Sequence, residues 1–247
     1  MPLVDVLIQG VPIRTDLGSF GLCTIPLIED GTRILLDTGH YGTRRTLLEA
    51  LKQRSLEPRD IDIVVLSHSN WDHVLNIDLF SNSRVLIHED ELNYAMNPKS
   101  DDWATPTFFR DLIRGMDFKP ISGEIELTKN VRIIETIGHT IGHVSLLVSK
   151  DKKTLLFAQD ALPSARSYYR ELPDYVFYSE EEARKSILKI KGLNPDIIYP
   201  GHDRPFTVEG GQVNYFSGGA IKVGLRGEKE EDLWISLSHE KAWVPKQ

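Results

Sequence analysis

The chain has a single cysteine, Cys23, in 247 residues, which excludes an internal disulfide and a zinc cage built on thiolates. Cys23 itself reads as a small buried residue in a strand. Long hydrophobic runs are also missing and Asp5 follows close behind Met1, so neither a membrane span nor a signal peptide is expected, and the reading is cytoplasmic. Positive charge is short. With 29 Lys and Arg against 36 Asp and Glu the net charge is -7, which leaves no basic field to grip a phosphate backbone, and no nucleic acid partner is expected. No Gly-x-Ser-x-Gly element occurs and nothing argues for a reactive Cys23, so covalent catalysis by a side-chain nucleophile has little support.

What the chain does have is alternation of strand-like and helix-like segments over its whole length. At this size it can bury a substantial core, and residues 1–247 are read as one α/β domain. Segments 3–8, 21–28 and 32–36 read as strands, the last after the turn signal Glu29-Asp30-Gly31. Helical spacing of Leu47, Leu48 and Leu51 marks 43–52, and β-branched residues return in 61–66. A short strand at 85–87 and a helix at 89–96 follow. The stretch 97–115 holds Pro98, Trp103, Pro106, Phe108 and Phe109 without clean periodicity; a connecting helix is expected, with a substrate-facing insertion as the alternative. Strands at 131–136, 144–148 and 154–158 then mirror the first half. A helix at 180–190 has Ser179 as N-cap and acidic residues in its first turn, and 195–199 is a strand. The Gly-rich remainder, 206–247, reads as loops flanking a strand or two. Such a pattern suggests two sheets packed face to face and covered outside by helices.

Four polar loops stand at the ends of apolar strands, and each carries metal-binding residue types. His68, Asp72 and His73 fall within six residues after 61–66. His139 and His143 follow 131–136, Asp160 follows 154–158, and His202 and Asp203 follow 195–199. Taken singly, a loop histidine is more often structural than a ligand, and an aspartate after a strand is usually a turn former. Four such coincidences together point to a metal. Imidazole mixed with carboxylate suits zinc and its first-row neighbours, whereas calcium prefers oxygen donors almost alone.

The order and local sequence of these loops resemble the metallo-β-lactamase superfamily, which includes glyoxalase II and acyl-homoserine lactonases. The family's His-x-His-x-Asp-His signature is similar to His68, Asn70, Asp72 and His73, with Asn70 where an imidazole belongs. His139 resembles the histidine of the Gly-His-Thr loop, Asp160 the carboxylate that bridges two metals, and His202 the late Gly-His histidine. Asp37, in Leu36-Asp37-Thr38-Gly39, resembles the aspartate that supports the ligands from behind. His143 is left as structural or as a supporting donor. The resemblance implies a four-layer αββα sandwich of two mixed β-sheets flanked by helices. It implies one ion held by His68, Asn70, His139 and Asp160, and another by Asp72, His73, His202 and Asp160. Because an amide oxygen binds zinc poorly, Asn70 leaves three outcomes open: one ion, two ions with a water in the gap, or a harder ion such as manganese or iron.

By the same resemblance, paired ions would lower the pKa of a shared water, and Asp72 would orient the nucleophile and pass its proton to the leaving group. A cysteine commonly stands at the Asp160 position in true β-lactamases, and lactonases often carry a tyrosine where Pro163 stands here. Tyr168 and Tyr169 are candidates to reach the same space, and Trp103, Phe108 and Phe109 to form an apolar wall. The expected activity is metal-dependent hydrolysis of a small carboxylic ester, lactone or thioester. A phosphoester, or a non-catalytic binding module with a degraded metal site, is the alternative, and a homodimer is left open.

Overall fold

The computed structural model describes residues 1–16 and 18–216, together with the strand backbones 221–225 and 233–237. Its first half runs β1 (Leu3–Ile8), the short pair β2 (Arg14–Thr15) and β3 (Gly18–Ser19), β4 (Ile25–Glu29), β5 (Arg33–Leu36), α1 (Arg44–Gln53), β6 (Ile63–Val65), the one-turn α2 (Trp71–Val74), β7 (Arg84–His88), α3 (Glu89–Ala95), the one-turn α4 (Phe109–Leu112) and β8 (Asp117–Ile121). The second half runs β9 (Ile125–Thr128), β10 (Val131–Glu135), β11 (Val144–Lys150), β12 (Lys153–Gln159), α5 (Ala165–Arg170), α6 (Glu180–Leu193), β13 (Ile197–Pro200), β14 (Phe206–Glu209) and β15 (Gln212–Tyr215), with β16 (Ile221–Leu225) and β17 (Leu233–Leu237) paired to each other.

Two mixed sheets result, of order β1-β4-β5-β6-β7-β8 and β15-β14-β13-β12-β11-β10-β9. Their strands are apolar on both faces, and alternate residues go to different cores, as a period of two requires. Ile34, Leu36, Val65 and Leu86 of the first sheet meet Ile133, Leu146, Leu155 and Phe157 of the second in the central layer. Leu35, Val64, Val85 and Ile87 point the other way, onto Leu47, Ala50 and Leu51 of α1. Ile134, Leu156, Ala158 and Ile198 pack outward against Ile187 and Ile190 of α6. The layering is therefore αββα, as the resemblance implied.

Topology places the polar loops together. β5 and β6 are parallel, as are β12 and β13, and β10 is antiparallel to β11, which is antiparallel to β12, so β5 and β6 end on one edge of the first sheet, and β10, β12 and β13 on one edge of the second. Thr24 N–H donates to the Gly201 carbonyl at 2.7 Å and Val144 N–H to the Ser67 carbonyl at 2.9 Å, tying the sheets at that edge.

Several segments depart from expectation. The strand expected over 21–28 starts only at Ile25, because Gly21 sits at φ 57° and Trp71 and Asp72 leave no room for a side chain there. The connecting helix expected over 97–115 is reduced to α4: Asp102 turns the chain by accepting from the N–H groups of Ala104 and Thr105. β8, β9 and α5 were not legible; β8 is an edge strand containing Pro120, largely exposed. Of the Gly-rich remainder, Gly210 and Gly211 turn β14 into β15 with positive φ, while Gly218 and Gly219 lie outside the described residues.

Candidate metal centre

Asp37 organises the centre from below. It leaves β5 in the left-handed region, φ 59°, a conformation that costs a non-glycine residue about 1–2 kcal/mol and persists only where surroundings enforce it. Here the enforcement is four donors on one buried carboxylate. Oδ1 accepts from Ser67 N–H at 2.7 Å; Oδ2 accepts from the Ser67 hydroxyl at 2.7 Å, His73 Nδ1 at 2.7 Å and Gln159 Nε2 at 2.6 Å. Gln159 is itself left-handed at φ 45°, which turns the next residue, Asp160, into the space between the sheets.

The other histidines are held in the same sense. Ser67, having given its hydrogen to Asp37, accepts from His68 Nδ1 at 2.8 Å. His202 Nδ1 lies 3.1 Å from the Leu22 carbonyl and His139 Nδ1 2.8 Å from the Tyr175 carbonyl. Every one of these Nδ1 atoms faces an acceptor, so neutral rings present the lone pair of Nε2 inward. His143 is the exception. Its Nε2 accepts from the Asp160 backbone N–H at 3.1 Å and its Nδ1 meets Thr136 Oγ1 at 2.8 Å, so it braces the backbone of Asp160 and presents nothing inward.

The inward atoms converge. Asp160 Oδ1 is 3.2 Å from His202 Nε2 and 3.6 Å from His73 Nε2, and Asp160 Oδ2 is 3.6 Å from His139 Nε2. Asp72 Oδ2 is 3.5 Å from His202 Nε2. Donor atoms of His68, His73 and Asp160, and of Asp72, His73 and His202, each lie within 4.8 Å of one another. Among them His68 Nε2, His73 Nε2 and Asp160 Oδ1 are buried with no hydrogen-bond partner, a costly condition for polar atoms unless a cation sits among them. Electrostatics point the same way. Burial alone would lower His73, but the carboxylates of Asp37, Asp160 and Asp72 push it up to about 10. Burial likewise opposes the charge of Asp160, yet His202 and His73 hold it well below the usual carboxylate range. Burial first, and the neighbouring histidines after it, push His68 well down. The cluster thus calls for positive charge at its middle, and these nitrogen and oxygen donors fit a first-row divalent ion.

The family model of the metallo-beta-lactamase superfamily matches residues 19–202, a span that contains every residue just described. The chain belongs to that superfamily of metal-dependent hydrolases. An N-acyl homoserine lactonase of Bacillus sp is 27% identical over 161 residues, 64% of this chain and 62% of the lactonase, so the match spans less than two thirds of that relative. A metallo-beta-lactamase domain-containing protein of Xenopus laevis is 27% identical over 192 residues, 75% of this chain and 72% of the relative. Among solved structures, a Thermotoga maritima metallo-beta-lactamase-type protein superposes with TM-score 0.69 at 22% identity, covering 83% of this chain and 99% of that one. A mutant of AiiA from B. thuringiensis, with N-decanoyl-L-homoserine bound at its active site, gives 0.65 at 22% identity, covering 82% and 92%. At these identities the structural likeness is one of fold.

Within this superfamily fold, the residues expected from sequence separate into two groups. His68, Asn70, Asp72, His73, His139, Asp160 and His202 are brought together with Asp37 beneath them. A cavity opens above, lined by Asn70, Asp72, His139, Asp160 and His202. Trp103 joins Tyr175 and Phe177 as its aromatic wall, ring centroids 5.5 and 5.3 Å from Trp103, and Val11, Pro12 and Ile13 line it too. The expectation for the other aromatics is corrected. Phe109 is 0% exposed in the core under the first sheet, and Phe108 borders a separate surface depression. Tyr168 and Tyr169 lie on α5, which turns them away from the cavity: Tyr168 packs on Phe206, and the Tyr169 hydroxyl accepts from Val213 N–H at 2.8 Å.

Besides Gln159, sequence reasoning missed Glu91, Tyr175 and Phe177. Glu91, fully buried in the first turn of α3, accepts from Ser69 N–H (2.8 Å) and hydroxyl (2.6 Å) and from Gly142 N–H (2.9 Å), clamping the two loops that carry His68 and His139. Gly142 must be glycine there, since a Cβ would lie 2.6 Å from the Glu91 nitrogen. Tyr175 and Phe177 follow no apolar periodicity; the signal available was three aromatics in four residues with Tyr178.

Proposed function

We propose that the chain, as one metallo-hydrolase domain, hydrolyses a small uncharged carboxylic ester, lactone or thioester at this centre. The carrying observation is that His73 Nε2 and Asp160 Oδ1, buried without a hydrogen-bond partner, converge with Asp72 and His202. Asp72, His73, Asp160 and His202 would hold a divalent ion, zinc by their mixed nitrogen and oxygen chemistry, with manganese or iron as substitutes, while His68, Asn70 and His139 border its other side. Such an ion, when bound, supplies Lewis acidity toward an acyl oxygen and a water acidic enough to ionise near neutral pH.

The chain's own residues supply the rest. Asp72 faces the cavity and would orient the attacking water, take its proton and deliver it to the leaving oxygen or sulfur as the acyl bond breaks. Trp103, Tyr175 and Phe177 would seat an apolar arm of the substrate and exclude water beside the reacting carbon. No Lys or Arg among the described residues lines the cavity, so among them a phosphate group has no side-chain cation to pair with. This supports a carboxylic ester over a phosphoester, and the complete seat of Asp72, His73, Asp160 and His202 supports an enzyme over a degraded binding module.

The test is a panel of lactones, thioesters, carboxylic esters and phosphoesters offered to metal-loaded wild type and Asp72→Asn. Turnover of uncharged acyl substrates, falling roughly 100-fold or more in the variant as general acid–base catalysis predicts, supports the reading. Turnover of phosphoesters alone, or of nothing, overturns it.

A further inference from the structure

Asn70 and His139 face each other at one side of the centre, His139 Nε2 lying 2.9 Å from the Asn70 side-chain oxygen. His139 Nδ1 is fixed at 2.8 Å from the Tyr175 carbonyl, which can only accept. In a neutral ring the hydrogen therefore sits on Nδ1 and the lone pair on Nε2. A flipped Asn70 amide satisfies that lone pair, –NH2 donating to Nε2 while the amide oxygen faces the Thr105 hydroxyl, whose oxygen is 3.5 Å from the amide. In a charged ring Nε2–H donates to the amide oxygen instead. In both states the inward nitrogen of His139 is occupied by Asn70. The other rings differ: His68 Nε2 and His73 Nε2 have no partner, and His202 Nε2 faces carboxylates.

Donor counting then limits the number of ions. The two donor groups are His68, His73, Asp160 and Asp72, His73, His202; they share His73, and His139 is in neither. One imidazole nitrogen has one lone pair and serves one ion. Given to the side of Asp72 and His202, where Asp160 Oδ1 also lies within 3.2 Å of His202, His73 completes a four-donor seat. The other side then keeps His68 and a share of Asp160, which is short of the three or four protein ligands that hold zinc. His139 is the donor that would complete it.

The geometry points to a single-ion centre, in which one divalent ion sits among Asp72, His73, Asp160 and His202 while Asn70 retains His139 as a hydrogen-bond partner. This rests on the proposed reading of the cluster as a metal site. Asn70 thus selects the number of ions rather than acting as a weak ligand.

The experiment is zinc titration of metal-free protein against a competing chelator, with elemental analysis after dialysis and a thermal melt for each variant. Wild type should hold one equivalent. Asn70→His should hold two, and His139→Ala should still hold one, with a loss of affinity smaller than the roughly 10–100-fold expected where a supporting partner of a ligand is removed. Two tight equivalents in wild type, or lost binding in a normally folded His139→Ala, overturns the single-ion inference and leaves the metal reading standing. A folded Asn70→His that stays at one equivalent overturns the role given to Asn70. A folded wild type that holds no ion overturns both.

Discussion

A carboxylate that accepts from four donors cannot be exchanged for its amide without setting a donor against a donor, and Asp37 is in that position. Its oxygens serve Ser67, His73 and Gln159 together. Asp37→Asn keeps the volume, but it removes the charge that fixes His73 Nδ1–H and thereby the lone pair His73 presents. Metal affinity should fall roughly 10–100-fold, as for other partners that orient a ligand, measured by chelator competition; unchanged affinity would show that His73 is oriented by its packing alone. Gly201 matters at the same scale for a steric reason. A Cβ there would lie 2.1 Å from Asp160 Oδ1, so the loop before His202 passes the carboxylate only as bare backbone.

At the scale of elements, α3 does more than cover a sheet. Glu91→Ala would leave the Ser69 and Gly142 N–H groups buried without an acceptor, and stability should drop by about 3 kcal/mol, read from urea unfolding. A drop within 0.5 kcal/mol, the range of ordinary surface changes, would mean the two loops are held by Val144 N–H and the Ser67 carbonyl without it. The loop after α3 carries a pH dependence. Burial alone would raise Asp102, but hydrogen bonds from Thr105, Ala104 and Tyr94 hold it below its ordinary value. A depressed folded-state pKa gives stability that is present above the unfolded value of about 3.9 and lost as pH falls through the lower folded value. Asp102→Asn should flatten that part of the acid limb in thermal melts; an unchanged limb would contradict the assignment. Elements also show what was legible in sequence. Residues 61–66 and 131–136 announced themselves by β-branched apolar runs and 154–158 by an apolar run, and the ligating loops by density of His and Asp directly after them. Glu91 and Gln159 did not, because their roles lie in bonds to residues 51 and 122 positions away. Tyr168 and Tyr169 misled because α5 folds back onto β14 and β15, which no local pattern reveals.

For the molecule as a whole, the two sheets act as a frame whose strand ends deliver five loops to one edge, where a crevice for a ligand is expected in open α/β sheets. Net charge of -7 and a cavity without Lys or Arg among the described residues bias the approach against anionic substrates. No helix among the described residues is long and apolar enough to cross a membrane. In the proposed function, acyl hydrolysis depends on an ion at the Asp72, His73, Asp160 and His202 seat. The most direct measurement is turnover of an uncharged lactone before chelation, after chelation and after return of zinc, with circular dichroism recorded at each stage. Turnover should be lost on chelation and recover on zinc return, with the fold intact throughout; undiminished turnover by the metal-free protein would show that hydrolysis needs no ion.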